Sequence, residues 1–207
     1  MMLRELEKLC DSWTFDKRRA NEIIQCIDVN QVFVSSRFPK TPYNSTFLNE
    51  AIMSNNVAMV ELLLKAGANP NLVFDSFGDE CVLWGLQFTG DYEYPNENER
   101  RLMIAQLLLD YGANPNIVLD AEQLFSYVTF GIFNDDFVDE EHWQYRSRFF
   151  ILLIAYGGKD EGYCIPRVVG AFDKENIHQY KFYLVSEGDN QFSGIIKDGK
   201  GTIVAYI

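Results

Sequence analysis

The sequence predicts a mainly α fold, a short helical solenoid of three to four helix pairs capped by a C-terminal three-stranded antiparallel β-meander, on three observations. The stretch Val60–Asn71, VELLLKAGANPN, recurs as AQLLLDYGANPN at Ala105–Asn116 and, more weakly, as FILLIAYGGKD at Phe150–Asp160. Set on Gly67, Gly112 and Gly157, the copies lie 112−67 = 45 and 157−112 = 45 residues apart, a period of the size that marks stacked repeats. From Tyr180 onward the apolar residues alternate, which is the pattern of strands.

Taken in order, Leu3, Leu6, Leu9, Cys10 and Trp13 fall at helical spacing, and Ala20, Ile23, Ile24 and Ile27 form a second apolar face after a break at Thr14–Asp16. This pair ends in Asp28-Val29-Asn30, which stands where Asn69-Pro70-Asn71 stands after the next unit, so residues 1–40 read as an N-terminal helical cap or degenerate repeat. Pro39 and Pro42 forbid a helix across Gln31–Asn44, and Val32-Phe33-Val34 suggests a short extended piece. Ser45 or Thr46 is then a suitable N-cap for a helix to about Ser54, Asn55-Asn56 turn the chain, and Val57–Ala66 form a second helix ended by Gly67.

Here the chain resembles the ankyrin repeats. Thr46-Phe47-Leu48-Asn49-Glu50-Ala51 stands where that family has TPLHxA, Asn55-Asn56 where it often has Gly-His, and Val60–Asn71 matches its VxLLLxxGADxN ending; Phe47 and Asn49 depart from it. The resemblance covers roughly residues 17–160 and implies a stack of helix pairs that binds other proteins. From Thr46 to Gly67 is 67−46 = 21 residues, but from the matching Cys81 to Gly112 is 112−81 = 31, so about ten residues are inserted, placed in Thr89–Glu99. A third unit has a helix from about Ala121 to Phe133, a loop at Asn134–His142 and a helix at Trp143–Tyr156. Both insertions fall between the two helices of a unit. Residues 41–162 are thus read as ankyrin-like repeats with acidic inter-helix insertions, and 163–207 as the meander cap. Ile165–Asn176 reads as a short helix, the strands as Tyr180–Ser186, Gln191–Lys197 and Thr202–Ile207, and Asp198-Gly199-Lys200-Gly201 as a hairpin turn.

The net charge of −12 is localised: Asp75–Glu141 holds 15 acidic residues against Arg100 and Arg101, which is −13, and the rest of the chain 15 acidic against 16 basic, which is +1. Such a segment repels phosphates, so nucleic acid is disfavoured and a basic protein partner is favoured. The N-terminus has no signal-peptide-like apolar stretch and no run spans a bilayer, so the chain reads as soluble and cytoplasmic, without a membrane contact. Cys10, Cys26, Cys81 and Cys164 are isolated, which suggests buried free thiols and neither a metal nor a cofactor. His142 and His178 have no companion at ligand or nucleophile spacing.

These observations point to a non-enzymatic protein-binding module that uses a concave repeat face and an acidic, aromatic insert edge. Its contact residues are Trp84, Asp91, Tyr92, Glu93, Tyr94, Asp135, Asp136, Phe137 and Glu140, the rings serving as anchors and the acids steering a basic partner. Two narrower readings stand beside it: a bacterial immunity or antitoxin protein on an ankyrin-like scaffold that occludes a basic toxin, and a bacterial effector that binds a host protein. An enzyme using His178, Asp173 or Glu175 beside the meander is the weaker alternative. A dimer paired through the edge of the last strand is the structural alternative to a monomer.

Overall fold

The computed structural model describes residues 2–11, 13–38, 40–75, 79–87, 96–119, 122–125, 128, 140–159, 166–188 and 191–207. The chain divides into two compact units, one of Met1–Leu86 with Gly90–Asn114, the other of Pro115–Ile207 with Gln87–Thr89.

The first unit runs α1 (Met2–Cys10), α2 (Lys17–Ile24), the hairpin β1 (Phe33–Val34) and β2 (Asn44–Ser45), α3 (Phe47–Met53), α4 (Val57–Lys65), the hairpin β3 (Phe74–Asp75) and β4 (Asp79–Glu80), and α5 (Glu97–Asp110). Short helices cannot stand alone, so each needs a cap and a buried stripe. Asp16, Thr46 and Asn56 cap α2, α3 and α4 by accepting the backbone N–H of Arg19, Asn49 and Met59. Leu6, Ile23, Phe47, Val60, Leu63, Ile104 and Leu108 are completely or almost completely buried. At about 1.5–3 kcal/mol per large side chain, that burial outweighs the modest intrinsic propensity of helices this short.

Both long copies of the repeated phrase end in the same turn. Gly67 and Gly112 take φ of +92° and +88°, the left-handed region that favours glycine. The N–H groups after the helix then fold back, Gly67 to Leu64 and Ala68 to Leu63, Gly112 to Leu109 and Ala113 to Leu108, and so satisfy carbonyls left open at the helix end. An asparagine from the preceding turn clamps each one. Asn30 Nδ2 donates to the Gly67 carbonyl at 3.1 Å while its Oδ1 accepts the Asn69 N–H at 2.6 Å. Asn71 repeats this with the Gly112 carbonyl at 2.8 Å and the Asn114 N–H at 2.7 Å.

The second unit contains the hairpin β5 (Val118–Leu119) and β6 (Glu122–Gln123), α6 (Glu140–Ala155), and β7 (Arg167–Val168), a 3₁₀ segment (Lys174–Gln179), β8 (Lys181–Gly188), β9 (Gln191–Lys197) and β10 (Ile203–Tyr206). Asn116 makes the same clamp, to the Gly157 carbonyl at 3.0 Å and from the Lys159 N–H at 2.8 Å, with Gly157 at φ +89°. Gly158 replaces the alanine of the other copies for a steric reason: a Cβ there would lie 2.8 Å from both the Leu153 carbonyl oxygen and the Phe125 ring. The glycine at this position of the third copy is thus accounted for by the Phe125 ring and the Leu153 carbonyl.

Several expectations need correction. Among the described residues the second repeat's first helix is a single 3₁₀ turn, Trp84–Gln87, and α5 opens at Glu97, so the last residues assigned to the first insertion are helical. Glu97 and Glu99 sit in its first turn, where carboxylates are favoured. Glu140, Glu141 and His142 likewise begin α6 and are not loop. Of the helix expected over Ala121–Phe133, Glu122–Gln123 are strand and Leu124, Phe125 and Val128 are helical, the remainder lying outside the described residues. The C-terminal sheet has four strands in the order β7-β10-β9-β8, because residues expected to be helical supply β7. The last strand therefore has no free edge for a second copy: Ala205 and Tyr206 pair with Val168 and Arg167.

Replacing Asn71 by alanine removes both clamp bonds at once and is expected to cost about 1–2 kcal/mol in a urea-unfolding measurement. Aspartate at 71 should not rescue it, since its carboxylate cannot donate to the Gly112 carbonyl. Gly158→Ala is expected to cost about 1–3 kcal/mol by overpacking against a fixed backbone oxygen.

Candidate functional site

In the first unit the loop between β1 and β2 is pinned to the helices by two buried carboxylates. Glu7 of α1 is 8% exposed; its Oε1 accepts the Ser36 N–H and the Ser35 hydroxyl, and its Oε2 the Arg4 guanidinium at 2.9 Å. Glu50 of α3, 2% exposed, accepts the Tyr43 hydroxyl at 2.8 Å and faces the Arg37 guanidinium at 3.5 Å. Arg37 also donates to the Ser54 hydroxyl and the Met53 carbonyl. Between these groups lies a cleft of ≈ 340 Å³ lined by Glu7, Lys8, Asp11, Thr14, Ser36, Arg37 and Glu50. Both buried carboxylates are satisfied by loop partners, so the network serves to order the loop.

The chemistry of this cleft is that of a support. Burial, together with the Glu50 and Glu7 carboxylates, pushes the Cys10 thiol well above its usual range, which keeps it protonated and poorly nucleophilic. Burial, and the Glu50 carboxylate beside it, pushes the Tyr43 phenol up as well. Burial alone would raise Glu7, but the Ser36 N–H, the Arg4 guanidinium and the Ser35 hydroxyl together hold it below the ordinary 4.5. Cys81 is also buried, whereas Cys26 is exposed, contrary to expectation; Cys164 lies outside the described residues.

The pinned loop, α3 and the hairpins leave several apolar side chains exposed. Val34, Phe38 and Met53 are exposed around Tyr43, with Phe38 6.0 Å from its ring and the Met53 sulfur 3.6 Å from its hydroxyl. The second residue after each clamping asparagine is an exposed valine: Val32 and Val73, at 47% and 44%, in the first unit, and Val118, at 56%, in the second. Sequence reasoning missed these hairpin valines, although Asn-x-Val recurs at Asn30, Asn71 and Asn116. The signal was there but lay outside the helical phrase used to align the copies.

Of the contact residues expected from the sequence, Trp84 is half-buried at the head of its 3₁₀ turn and Glu140 is the first residue of α6. Asp91, Tyr92, Glu93, Tyr94, Asp135, Asp136 and Phe137 lie outside the described residues. Two rings near the start of α6 pack within the unit: Tyr145 is 2% exposed and stacks on Phe149 at 6.2 Å, and the partly exposed Trp143 lies 6.1 Å from Phe182. Near the sheet, Asp173 caps the 3₁₀ segment by accepting from Glu175 and Asn176, His178 is exposed, and Phe150 and Phe182 meet edge to face at 5.7 Å where α6 packs on β8. Among the described residues no group of three or more His, Cys, Asp or Glu is placed to hold a metal ion, and no helix is long and apolar enough to cross a membrane.

Because the folded value of Glu7 is depressed, its contribution to stability is complete above 4.5 and is lost as pH falls through the lower folded value. Chemical denaturation across pH 7 to 3 should therefore show Glu7→Gln less stable than the unmodified chain by about 1–2 kcal/mol at neutral pH and close to it at the acid end.

No curated protein matches the chain. The family model for the ankyrin repeat matches residues 43–74, which run from the strand β2 through α3, α4 and the Gly67 turn to β3. The match is confined to that segment and is consistent with a degenerate ankyrin repeat there.

Proposed function

We propose that the chain is a protein-binding module whose repeats offer a concave face studded with hairpin valines, and whose acidic, aromatic insertions recognise a partner of basic charge. The observation that carries this reading is the ankyrin repeat at residues 43–74, since ankyrin repeats generally mediate protein–protein interaction. The exposed Val32, Val34 and Val73 support it, because apolar side chains held on a rigid hairpin lose little entropy on binding. The −13 balance of Asp75–Glu141 supports the polarity of the partner: carboxylates on an interface rim raise the association rate for a cation-rich surface. In this reading Trp84, Tyr92, Tyr94 and Phe137 are the anchors, and Asp91, Glu93, Asp135, Asp136 and Glu140 the steering charges. The repeats supply the scaffold and the insertions the selectivity.

The test is charge reversal at Asp135, Asp136 and Asp139 to lysine in the full chain. The protein captured by the unmodified chain should bind this variant at least about tenfold more weakly, with a flatter dependence on salt, while circular dichroism is unchanged. Equal affinity and equal salt dependence would remove the steering role of the second insertion.

A further inference from the structure

The second unit carries an exposed surface of opposite polarity. One face of its sheet is buried on α6, with Phe182, Ile196 and Ala205 at 8%, 0% and 0% exposure. Residues paired across adjacent strands share a face, so the register gives the composition of the other side. Tyr183 pairs with Ile195, Ile195 with Tyr206, and Tyr206 with Arg167, a single row across all four strands. The next row is Lys181, Lys197 and Ile203. Tyr183 and Tyr206 are 43% and 44% exposed, and Val185, on the same side of β8 as Tyr183, is 37% exposed.

Two features make this face more than a solvated surface. Lys181 and Lys197 are directly opposed, an arrangement that costs stability when like charges face each other in a sheet. In a chain with twelve more acidic than basic residues, 30 against 18, neither lysine nor Arg167 takes part in the ion pairs found among the described residues. The Lys197 ammonium instead lies 5.2 Å over the Tyr183 ring. Nearby Asp198 is engaged in its turn, accepting the N–H groups of Lys200 and Thr202. Tyrosine and arginine around a branched aliphatic residue are the side chains most often found at the centre of protein interfaces, where desolvation gives them their strength.

We propose that this outer face, centred on Tyr183, Ile195 and Tyr206 and framed by Lys181, Lys197 and Arg167, docks an acidic segment of a partner protein that also carries aliphatic or aromatic side chains. Carboxylates of such a segment meet the two opposed lysines and relieve their repulsion, while its apolar side chains cover Val185, Ile195 and Ile203. A single-stranded nucleic acid would find cations and two rings here, but it has no groups to match the aliphatic part. Ile195 separates the two tyrosines and Lys197 occupies a face of one of them, which spoils a continuous stacking platform. The residues of this face are distinct from those of the acidic insertions, and the charge of its occupant is opposite to that of the partner proposed for them.

The experiment uses the full chain and a fluorescein-labelled, glutamate-rich Glu/Tyr copolymer, read by fluorescence anisotropy, with a uridine oligonucleotide and polyglutamate as comparison probes. Saturable, salt-sensitive binding of the copolymer is expected, tighter than that of polyglutamate. It should weaken at least about tenfold in Tyr183→Ser/Tyr206→Ser and in Lys181→Glu/Lys197→Glu. These side chains are exposed, so both variants should keep the melting temperature of the unmodified chain; a single Lys181→Gln variant, expected to lose about threefold, serves if a double variant does not. No saturable copolymer binding, equal binding by the variants, or binding of the uridine oligonucleotide tighter than that of the copolymer would each overturn the proposal. The Asp135, Asp136 and Asp139 reversal changes none of the side chains of this face and should not weaken copolymer binding, so failure here and failure of the acidic insertions are read separately.

Discussion

A side-chain amide that bonds two backbone groups of the next turn is the interaction on which the repeats depend. Asn30 and Asn71 each donate to a glycine carbonyl and accept the N–H two residues later, and Asn116 does the same in the second unit. Asparagine suits the role because its amide is both donor and acceptor on a short stem, whereas aspartate can only accept and glutamine holds its amide one carbon further out. The clamp works only if the glycine turns its carbonyl outward, which the left-handed conformation at Gly67, Gly112 and Gly157 provides. Helix end, turn and following hairpin are thereby set by one residue per repeat.

The hairpins inherit their position from that clamp, and in the first unit their loop is held further by Glu7 and Glu50. Burying a carboxylate is costly unless every lone pair finds a donor, and here backbone, hydroxyl and guanidinium groups supply them. The network gives the loop a defined outward face, from which Val34 and Phe38 project. Ordering before binding matters for an interaction surface, since a loop that must freeze on contact forfeits part of the gain.

The charge of the chain is unevenly distributed along its sequence. The sequence carries a −13 balance over Asp75–Glu141, whereas on one face of the C-terminal sheet Arg167, Lys181 and Lys197 cluster around tyrosines. Net charge summed over the whole molecule hides that contrast.

Local chemistry made the repeat legible in the sequence. The glycine period, the Thr46 cap, the turn at Asn55-Asn56, the inward stripe of Val60, Leu63 and Ile104 and the turn at Asp198–Gly201 all follow from residue spacing, because each depends on neighbours within a few positions. Much less of the contact set was legible: most of its residues fall in the insertions, and the exposed valines after each clamping asparagine were not among the expected contacts, because Asn-x-Val lies outside the helical phrase that aligns the copies. Only the tertiary structure decided that Gly158 makes room for Phe125, that β7 covers the edge of β10, and that Lys181 faces Lys197 beside a row of tyrosines. Each of those depends on segments brought together from distant positions. Strand order and cross-strand register are set by the packing of the whole sheet on α6, a constraint that a window of neighbouring residues does not contain.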